Sequence, residues 1–436
     1  MKVVSAVLLA VLLAATPFEQ DGSARVVLIS IDGLMPRDHA DPRQAPTLHR
    51  LANAGLAAEG AVSVFPSLTF AAHTTLITGV QPAVHGILDN RMFDPEGHSN
   101  DAWYWYARDI RVPTLPQVAK TRGLRVASIW WPATVGLEAD VLVPEFWRSM
   151  HTETISLLRA LSSPRRLFDD LERTHRQAFR LPITDRDKTD LALHALRTID
   201  PHLLMLHLGD LDAARHQHGP DSPAARDALK RDDGYVGEML TWLASSRRID
   251  RTTVAIVSDH GFLPLQTTLQ PNAAFKQAGL LKVNDRGAIV DWQAYFHSSG
   301  GSGFVYLKDA SAVERVAVIL DNLESDPQNG ILHVFSKGQF SRRAHPDAAF
   351  AISMRKTFYT GGGHDVLLKP EALKGGHGFE PERPEMLAAL ILSGAGVDRR
   401  GSLGIVPLSG VASTLGRILG VQLPAPAAPP LSLSRQ

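Results

Sequence analysis

Short and almost uniformly apolar runs recur through residues 24–260 of this chain, and segments with helical spacing separate them. The runs are Val26–Ile31, Leu124–Trp130, Leu203–Leu208 and Thr252–Val257. The helical patterns include Ala45–Ala54, Asp190–Arg197 and Ala224–Leu243. A strand that is apolar on both faces is typical of a parallel sheet covered by helices on each side. The pattern therefore predicts an α/β fold with a doubly wound, mostly parallel sheet.

The pattern weakens between residues 264 and 376, where glycine, proline and polar residues become more frequent. We interpret this stretch as an inserted smaller lobe with a few strands. Core-like patterns return with a strand at Met386–Ser393 and a helix at Val411–Leu419. We therefore predict a catalytic core of residues 24–263 plus 377–424, and a mobile tail at 425–436.

The amino terminus has the pattern of an export signal. Lys2 precedes an apolar run that continues to Ala15, and Thr16 and Pro17 follow. This run is short for a membrane span, although an uncleaved anchor or a buried helix is the alternative. We expect residues 1–15 to be removed and the protein to be periplasmic or secreted. No later segment reaches about 18 uninterrupted apolar residues, so we expect no stable membrane span after cleavage.

Composition excludes several classes of function. The chain has 45 Lys plus Arg and 45 Asp plus Glu, so it lacks the basic excess that nucleic-acid binding as a main role requires. It contains no cysteine, which excludes disulfides, thiolate metal sites and cysteine nucleophiles. Any metal site must use His, Asp, Glu, hydroxyl or backbone ligands.

Carboxylates follow three of the predicted strands. Asp32 ends the first run, Asp210 and Asp212 follow the third, and Asp259-His260 follows the fourth. Because the carboxyl ends of parallel strands share one edge of the sheet, we expect these side chains to meet in one crevice. Each aspartate taken alone is more typical of a turn than of a ligand. Their repetition favours a metal or acid/base cluster.

Histidines accompany these carboxylates. His216 follows Asp212 by four residues, so on a helix both side chains share one face and could bind one ion. His377 lies in a glycine-rich loop, and His364 competes with it for the same role on spacing alone. A lone histidine in such a loop is usually only exposed, which keeps both assignments open.

A hydroxyl stands near the start of another predicted helix. The segment Phe65–Gly79 indicates a proline-led turn that enters a helix ending at Gly79, with Thr69 near the amino end. Thr69 could cap the helix, or act as a nucleophile if a divalent cation assists loss of its proton. His73 lies one turn further on, and we favour a core histidine over a base.

Six motifs occur along the chain in the following order: Ile31-Asp32-Gly33-Leu34, Phe65–Phe70 with His73, His85–Asn90, Asp212–His216 with Gly219-Pro220, Ser258–Gly261 and Gly376–Phe379. In this order they resemble the motifs of the nucleotide pyrophosphatase/phosphodiesterase family of the alkaline phosphatase superfamily. The resemblance extends from about Val26 to Pro424. It implies an alkaline phosphatase-like fold and a small-molecule phosphodiester or nucleotide substrate.

The resemblance also implies a set of site residues. Two zinc ions are expected, one held by Asp32, Asp259, His260 and Thr69, the other by Asp212, His216 and His377. Other divalent metals are possible. Thr69 is the implied nucleophile, which would form a covalent phospho-threonine intermediate. Asn90, with the Thr69 backbone N–H, is implied to bind a phosphoryl oxygen.

Aromatic residues near the nucleophile indicate a substrate pocket. Phe70 adjoins Thr69, and Trp105 and Tyr106 lie in a Trp-Tyr-Trp-Tyr run. These rings could form the walls of the pocket, although packing is the commoner role of aromatic residues. The alternative functions are a phosphomonoesterase or phosphonate hydrolase of the same superfamily, and an exported binding protein without catalysis.

Overall fold

The structure is a computed structural model that describes residues 24–99, 102–147, 154–175 and 178–433. The predicted signal peptide at residues 1–15 lies outside the described residues. Among the described residues, no helix combines the length and the apolar character that a bilayer crossing demands.

The strands and helices follow one another in the chain with few long gaps. The strands are β1 (Arg25–Ile31), β2 (Leu56–Ala57), β3 (Gly60–Val62), β4 (Val126–Ile129), β5 (Val141–Val143), β6 (Leu203–Leu208), β7 (Thr252–Val257), β8 (Leu263–Leu269), β9 (Leu281–Val283), β10 (Ile289–Trp292), β11 (Ala294–Ser298), β12 (Ser302–Leu307), β13 (Ile331–Ser336), β14 (Phe350–Met354), β15 (Thr357–Thr360), β16 (Leu368–Pro370), β17 (Gly375–Gly376), β18 (Leu390–Gly394), β19 (Gly401–Ser402) and β20 (Ile405–Pro407). The α-helices are α1 (Pro46–Ala54), α2 (Thr69–Thr78), α3 (Pro82–His85), α4 (Leu115–Thr121), α5 (Thr154–Leu161), α6 (Leu167–His175), α7 (Asp185–Thr198), α8 (Asp210–His218), α9 (Pro223–Ser245), α10 (Pro271–Gln277), α11 (Val313–Ser325), α12 (Lys337–Phe340) and α13 (Gly410–Ile418).

The central sheet has eight strands in the order β19-β2-β18-β7-β1-β6-β4-β5. Strands β7, β1, β6, β4 and β5 are parallel to one another, whereas β18 is antiparallel to both β7 and β2. One apolar cluster covers each face of this sheet, and β1 contributes alternate residues to the two clusters. The α/β fold with a doubly wound, mostly parallel sheet is therefore confirmed.

Five of the predicted strands occur in this sheet. Those at 203–208 and 252–257 have the predicted bounds, and β1 begins one residue earlier than predicted. The strand predicted at 124–130 is shorter, because Trp130 has a positive φ of 57° that ends the extended backbone. The predicted strand at 386–393 begins at Leu390, since residues 384–386 form a 3-10 turn led by proline.

Residues 264–376, predicted as an inserted lobe, carry more strands than the few expected. An antiparallel sheet has the order β11-β12-β14-β13, and β8 pairs with β15, β16 and β17. These sheets enclose a separate apolar cluster with α11. The division of the chain into domains stays a prediction.

Residues 425–433 pack on the core. Leu431 and Leu433 are buried, and the Leu431 backbone N–H donates to the Thr414 hydroxyl at 2.8 Å. This segment lies against α13, because its leucine side chains gain from covering apolar surface. The mobility that we predicted for residues 425–436 stays a prediction.

Candidate active site

Three adjacent parallel strands deliver the predicted carboxylates to one edge of the central sheet. Strand β1 lies between β7 and β6, and Asp32, Asp259 and α8 follow directly at their carboxyl ends. Helix α8 carries Asp212 and His216 one turn apart. His377 reaches the same place from the loop after β17.

The first group of side chains surrounds Thr69. The Nε2 atom of His260 lies 3.4 Å from Asp32 Oδ1, 3.1 Å from Asp259 Oδ2 and 3.4 Å from the Thr69 hydroxyl. All four residues are buried or almost buried. The hydroxyl therefore belongs to the carboxylate and imidazole cluster.

The second group adjoins the first. The His216 and His377 Nε2 atoms are 3.2 Å apart, and they lie 3.4 and 3.7 Å from Asp212 Oδ1. The ring of His377 stacks on that of His260 with centroids 3.5 Å apart. The structure thus brings the predicted ligands of both groups into one cluster.

Two sets of ligand atoms in this cluster are close enough to hold a metal ion. One is Asp212, His216 and His377, and the other is Asp32, Asp212 and His260; within each set all ligand atoms lie within 4.8 Å of one another. The second set differs from the predicted one, because it includes Asp212 rather than Asp259. Asp212 lies between the two groups and can serve either.

The charge balance of the cluster calls for cations. Three buried carboxylate oxygens, Asp32 Oδ1, Asp212 Oδ1 and Asp259 Oδ2, have no hydrogen-bond partner among the described residues. Burial, and then the charges of Asp259 and Asp212, raise the pKa of Asp32 well above its usual value. Unpaired buried carboxylates are costly unless they bind a metal. Oxygen and imidazole ligands without thiolates fit zinc at a catalytic site.

Backbone carbonyls orient the histidines. The Nδ1 atom of His216 contacts the Gly375 carbonyl at 2.8 Å, and that of His377 contacts the Ser67 carbonyl at 3.0 Å. A carbonyl accepts only from a protonated nitrogen, so Nδ1 carries the proton in both rings. The unprotonated Nε2 atoms then face the cluster as metal ligands require.

Thr69 is the first residue of α2, which ends at Gly79 in a left-handed conformation (φ 74°) as predicted. No side-chain hydrogen bond caps the start of this helix, so Thr69 does not act as its cap. The backbone N–H of Phe70 donates to Asn90 Oδ1 at 2.9 Å. This contact holds Asn90 beside the helix start, with its NH₂ group as the remaining donor.

His73 lies in the core, as favoured. It is fully buried, and its ring nitrogens contact the Thr69 carbonyl and the Ser30 hydroxyl at 2.8 Å each. Burial lowers the pKa of His73 to about 3, which keeps the imidazole neutral. His364 lies apart from the cluster, with Asp365 and the Gly287 carbonyl as its partners.

The predicted pocket residues have different surroundings. Phe70 and Trp105 are buried with ring centroids 5.6 Å apart, and Trp103 and Trp147 pack around them. Tyr106 is partly exposed, and the Arg108 guanidinium lies over its ring. Phe70 and Trp105 thus have packing partners, and the role of all three residues in a substrate pocket stays a prediction.

Sequence reasoning missed His207 and Glu145. His207 Nε2 lies 3.1 Å from Asp32 Oδ2, and its Nδ1 lies 3.1 Å from Glu145 Oε2. Burial alone would lower the pKa of His207, but Asp32 and Glu145 outweigh burial and raise it to about 10. The one available signal was a histidine inside an otherwise apolar strand.

A second missed group fixes the start of α8. The carboxylate of Asp185, which is fully buried, accepts the backbone N–H groups of Gly209 and Asp210 at 3.0 and 2.7 Å. The buried Lys188 ammonium donates to the same carboxylate at 2.7 Å. Asp185 thereby caps, from another helix, the helix that carries Asp212 and His216.

Comparison with known proteins gives the same family as the motifs. The profile of the type I phosphodiesterase / nucleotide pyrophosphatase family matches residues 26–379. The human ectonucleotide pyrophosphatase/phosphodiesterase family member 1 is 25% identical over 246 residues, which are 54% of this chain and 23% of that protein. This chain therefore spans about a quarter of that relative's length. Human family member 7 is 22% identical over 425 residues, 94% of this chain and 82% of the relative.

Solved structures show the same fold. Murine ectonucleotide pyrophosphatase/phosphodiesterase 5 superimposes with a TM-score of 0.67 at 17% identity, and the match covers 93% of this chain and 97% of that one. An inactive threonine-to-alanine variant of the murine protein has been solved in complex with AMP. The profile match covers most of the chain, and the fold agrees with it. This chain belongs to the type I phosphodiesterase / nucleotide pyrophosphatase family of hydrolases.

Proposed function

We propose that this chain is an exported, metal-dependent phosphodiesterase or nucleotide pyrophosphatase that uses Thr69 as its nucleophile. The observation that carries the proposal is the Thr69 hydroxyl at a helix start, 3.4 Å from His260 in a cluster with three unpaired carboxylate oxygens. Family membership supports the same class of reaction. The signal pattern at residues 1–15 supports export to the periplasm or out of the cell.

Two zinc ions are the cofactors that the residues fit. Asp32, Asp259, His260 and Thr69 would hold one, and Asp212, His216 and His377 the other. When bound, such cations would supply positive charge that favours loss of the Thr69 hydroxyl proton and stabilises negative charge on the reacting oxygens. Three aspartates and a threonine alkoxide carry four negative charges, which balance two divalent ions.

The chain's own groups then carry out the transfer. The Thr69 oxygen attacks phosphorus, a new P–O bond forms, and the bond to the leaving oxygen breaks with its electron pair. Asn90 donates from its NH₂ group to a non-bridging phosphoryl oxygen, because its carbonyl oxygen already accepts from Phe70. Water later displaces Thr69 and regenerates the free hydroxyl.

The charge of the site favours a monoanionic diester over a dianionic monoester. The partners of the Asp32, Asp212 and Asp259 carboxylates among the described residues are histidines, backbone N–H groups and one serine. No lysine or arginine is among these partners, and the charge of His207 is already balanced by Asp32 and Glu145. A phosphomonoester would bring one further negative charge, for which these partners provide no further cation.

The test is a pair of variants assayed on a bis-aryl phosphate and the corresponding mono-aryl phosphate. Thr69→Ala should abolish turnover of the diester and keep its zinc, because Asp32, Asp259 and His260 remain. Thr78→Val is the matched control. Thr78 is also buried in α2, but its hydroxyl donates to the Thr74 carbonyl at the far end of the helix. This variant should retain wild-type turnover.

Three outcomes would change the proposal. Turnover by Thr69→Ala at the wild-type rate would refute the nucleophile. Faster hydrolysis of the monoester would indicate a phosphomonoesterase. Wild-type protein that holds no zinc and hydrolyses neither ester would indicate a binding protein.

A further inference from the structure

A buried polar network joins the predicted lobe to the residue before Asn90. Asp89 is buried, and its Oδ1 accepts the backbone N–H groups of Asn90 and Arg91 at 2.7 and 3.3 Å. These contacts fix the backbone from which the Asn90 side chain projects. The conformation of Asn90 therefore depends on where the Asp89 carboxylate is held.

The second oxygen of Asp89 is held entirely by residues of the lobe. Ser299 donates its hydroxyl to Asp89 Oδ2, and the Nε2 atoms of His297 and His345 lie 3.5 and 3.9 Å from the same oxygen. All three residues are buried. Burial alone would raise the pKa of Asp89, but these partners outweigh burial and lower it, so the carboxylate stays charged.

The lobe side of this network is closely packed. The ring of His345 stacks on Phe304 with centroids 3.8 Å apart, and its Nδ1 contacts the Tyr306 hydroxyl at 2.6 Å. His297 lies on β11 and Phe304 on β12, two paired strands. Packing and the contact with Tyr306 fix the position of His345, which leaves the Asp89 carboxylate little room to move away from the Ser299 hydroxyl.

Residues 299–301, which connect β11 to β12, also contact the loop that carries His377. The Gly301 backbone N–H donates to the His377 carbonyl at 2.8 Å. Gly378 has a φ of 85°, and a Cβ there would lie 2.1 Å from the Ser299 carbonyl. Only glycine permits this close approach. The lobe therefore contacts the site at two places, the loop of His377 and the carboxylate of Asp89. The contact between Ser299 and Asp89 is the one that affects the position of Asn90.

We propose that Ser299 and Asp89 are positioning residues for phosphoryl transfer, through which the lobe holds Asn90 in place to bind a phosphoryl oxygen. This inference rests on the proposed function, because Asn90 has that task only in a phosphoryl-transfer enzyme. It assigns a role to residues 297–301, which lie outside all six family motifs.

The experiment is a double-mutant cycle on the full-length, zinc-loaded enzyme with the bis-aryl phosphate. Asn90→Ala removes a donor to developing charge and should lower kcat by about 100-fold or more. Ser299→Ala displaces that donor without removing it and should lower kcat by about tenfold with little change in KM. In the Asn90→Ala background, Ser299→Ala should change kcat by less than about twofold, since its effect passes through Asn90.

Thr268→Val is the matched control in the same lobe. Thr268 is buried and also donates its hydroxyl to a carboxylate, that of Glu371, but this pair does not touch Asp89. The control should retain wild-type kcat. Zinc content should be equal in all variants, which excludes an effect through His377.

The inference is overturned if Ser299→Ala keeps wild-type kcat, or if it lowers kcat equally with and without Asn90. A crystal structure of Ser299→Ala gives a reading that needs no activity: Asn90 Oδ1 should leave its 2.9 Å contact with the Phe70 N–H. An unmoved Asn90 would refute the inference. Failure of the wild type to hydrolyse the diester would instead refute the proposed function.

Discussion

Replacement of Asp185 by asparagine tests how a residue outside the metal cluster supports it. The Asp185 carboxylate is fully buried and binds three donors, the N–H groups of Gly209 and Asp210 and the Lys188 ammonium. Asparagine keeps the size of the side chain and one acceptor oxygen but loses the charge. Lys188, which is 4% exposed, would then be a buried ammonium without its partner.

The expected loss of stability follows from these contacts. Breaking a buried ion pair by removing one partner costs about 3–5 kcal/mol. Two features place the expected cost of Asp185→Asn near the lower limit of this range. The amide oxygen can still accept one backbone N–H. In addition, burial and the negative charge of Asp185 raise the pKa values of Asp210 and Asp232. Loss of the Asp185 charge therefore relieves repulsion between these carboxylates. We expect the free energy of unfolding to fall by about 3 kcal/mol.

Urea denaturation of the metal-free protein measures this change, with Lys188→Met and the double variant completing the cycle. The double variant should lose only about 1 kcal/mol, the cost of a weaker helix cap, because neither member of the broken ion pair keeps its charge. Zinc titration should give about tenfold weaker binding for Asp185→Asn, since α8 carries Asp212 and His216. Unchanged stability of Asp185→Asn, or a double variant less stable than it, would refute the reasoning.

Two further predictions concern a ligand assignment and acid stability. His377→Ala should lose about one of two zinc equivalents by elemental analysis, whereas His364→Ala should keep both; equal zinc in the two variants would contradict the assignment. Burial alone would raise the pKa of Asp200, but Arg25 and Arg248 outweigh it and lower the pKa from 3.8 to about 2. The folded-state value is the lower one, so this contribution is complete above pH 3.8 and is lost as the pH falls through about 2. After allowance for solvent screening it amounts to about 1 kcal/mol. Urea unfolding should therefore show a deficit of that size for Asp200→Asn at pH 6 that shrinks at pH 2.5, and a deficit independent of pH would contradict it.

The parts of the site that follow strand ends could be predicted from sequence, because parallel topology alone brings them together. Asp32 and Asp259 directly follow strands that are neighbours in the sheet, so apolar runs and the residues after them were sufficient. The four-residue spacing of Asp212 and His216 was also sufficient to predict that they lie together, since a helix fixes which residues share a face. Local rules determined these positions.

The strands of residues 264–376 were harder to locate from the sequence, because they are short and several are only partly buried. In strand β13, for example, only Ile331 is buried, His333 and Ser336 are exposed, and there is no continuous apolar run. Antiparallel strands that face solvent on one side show alternation rather than uniform apolarity. Glycine-rich turns such as 299–303 separate them, and these turns resembled loops in the sequence.

The supporting residues escaped prediction for a different physical reason. His207 is 62 residues from Glu145 in the chain, and Asp185 is 24 from Gly209. Apart from the position of His207 in an apolar strand, their local sequences do not mark them, because their role arises only when two elements pack so that a buried charge meets its partner. Burial makes such pairs necessary, since an ionised side chain inside a protein needs a counter-charge or a hydrogen bond. It follows that ligand-like motifs identify the reacting groups of a site like this one, whereas the residues that hold those groups in place become visible only through side-chain contacts.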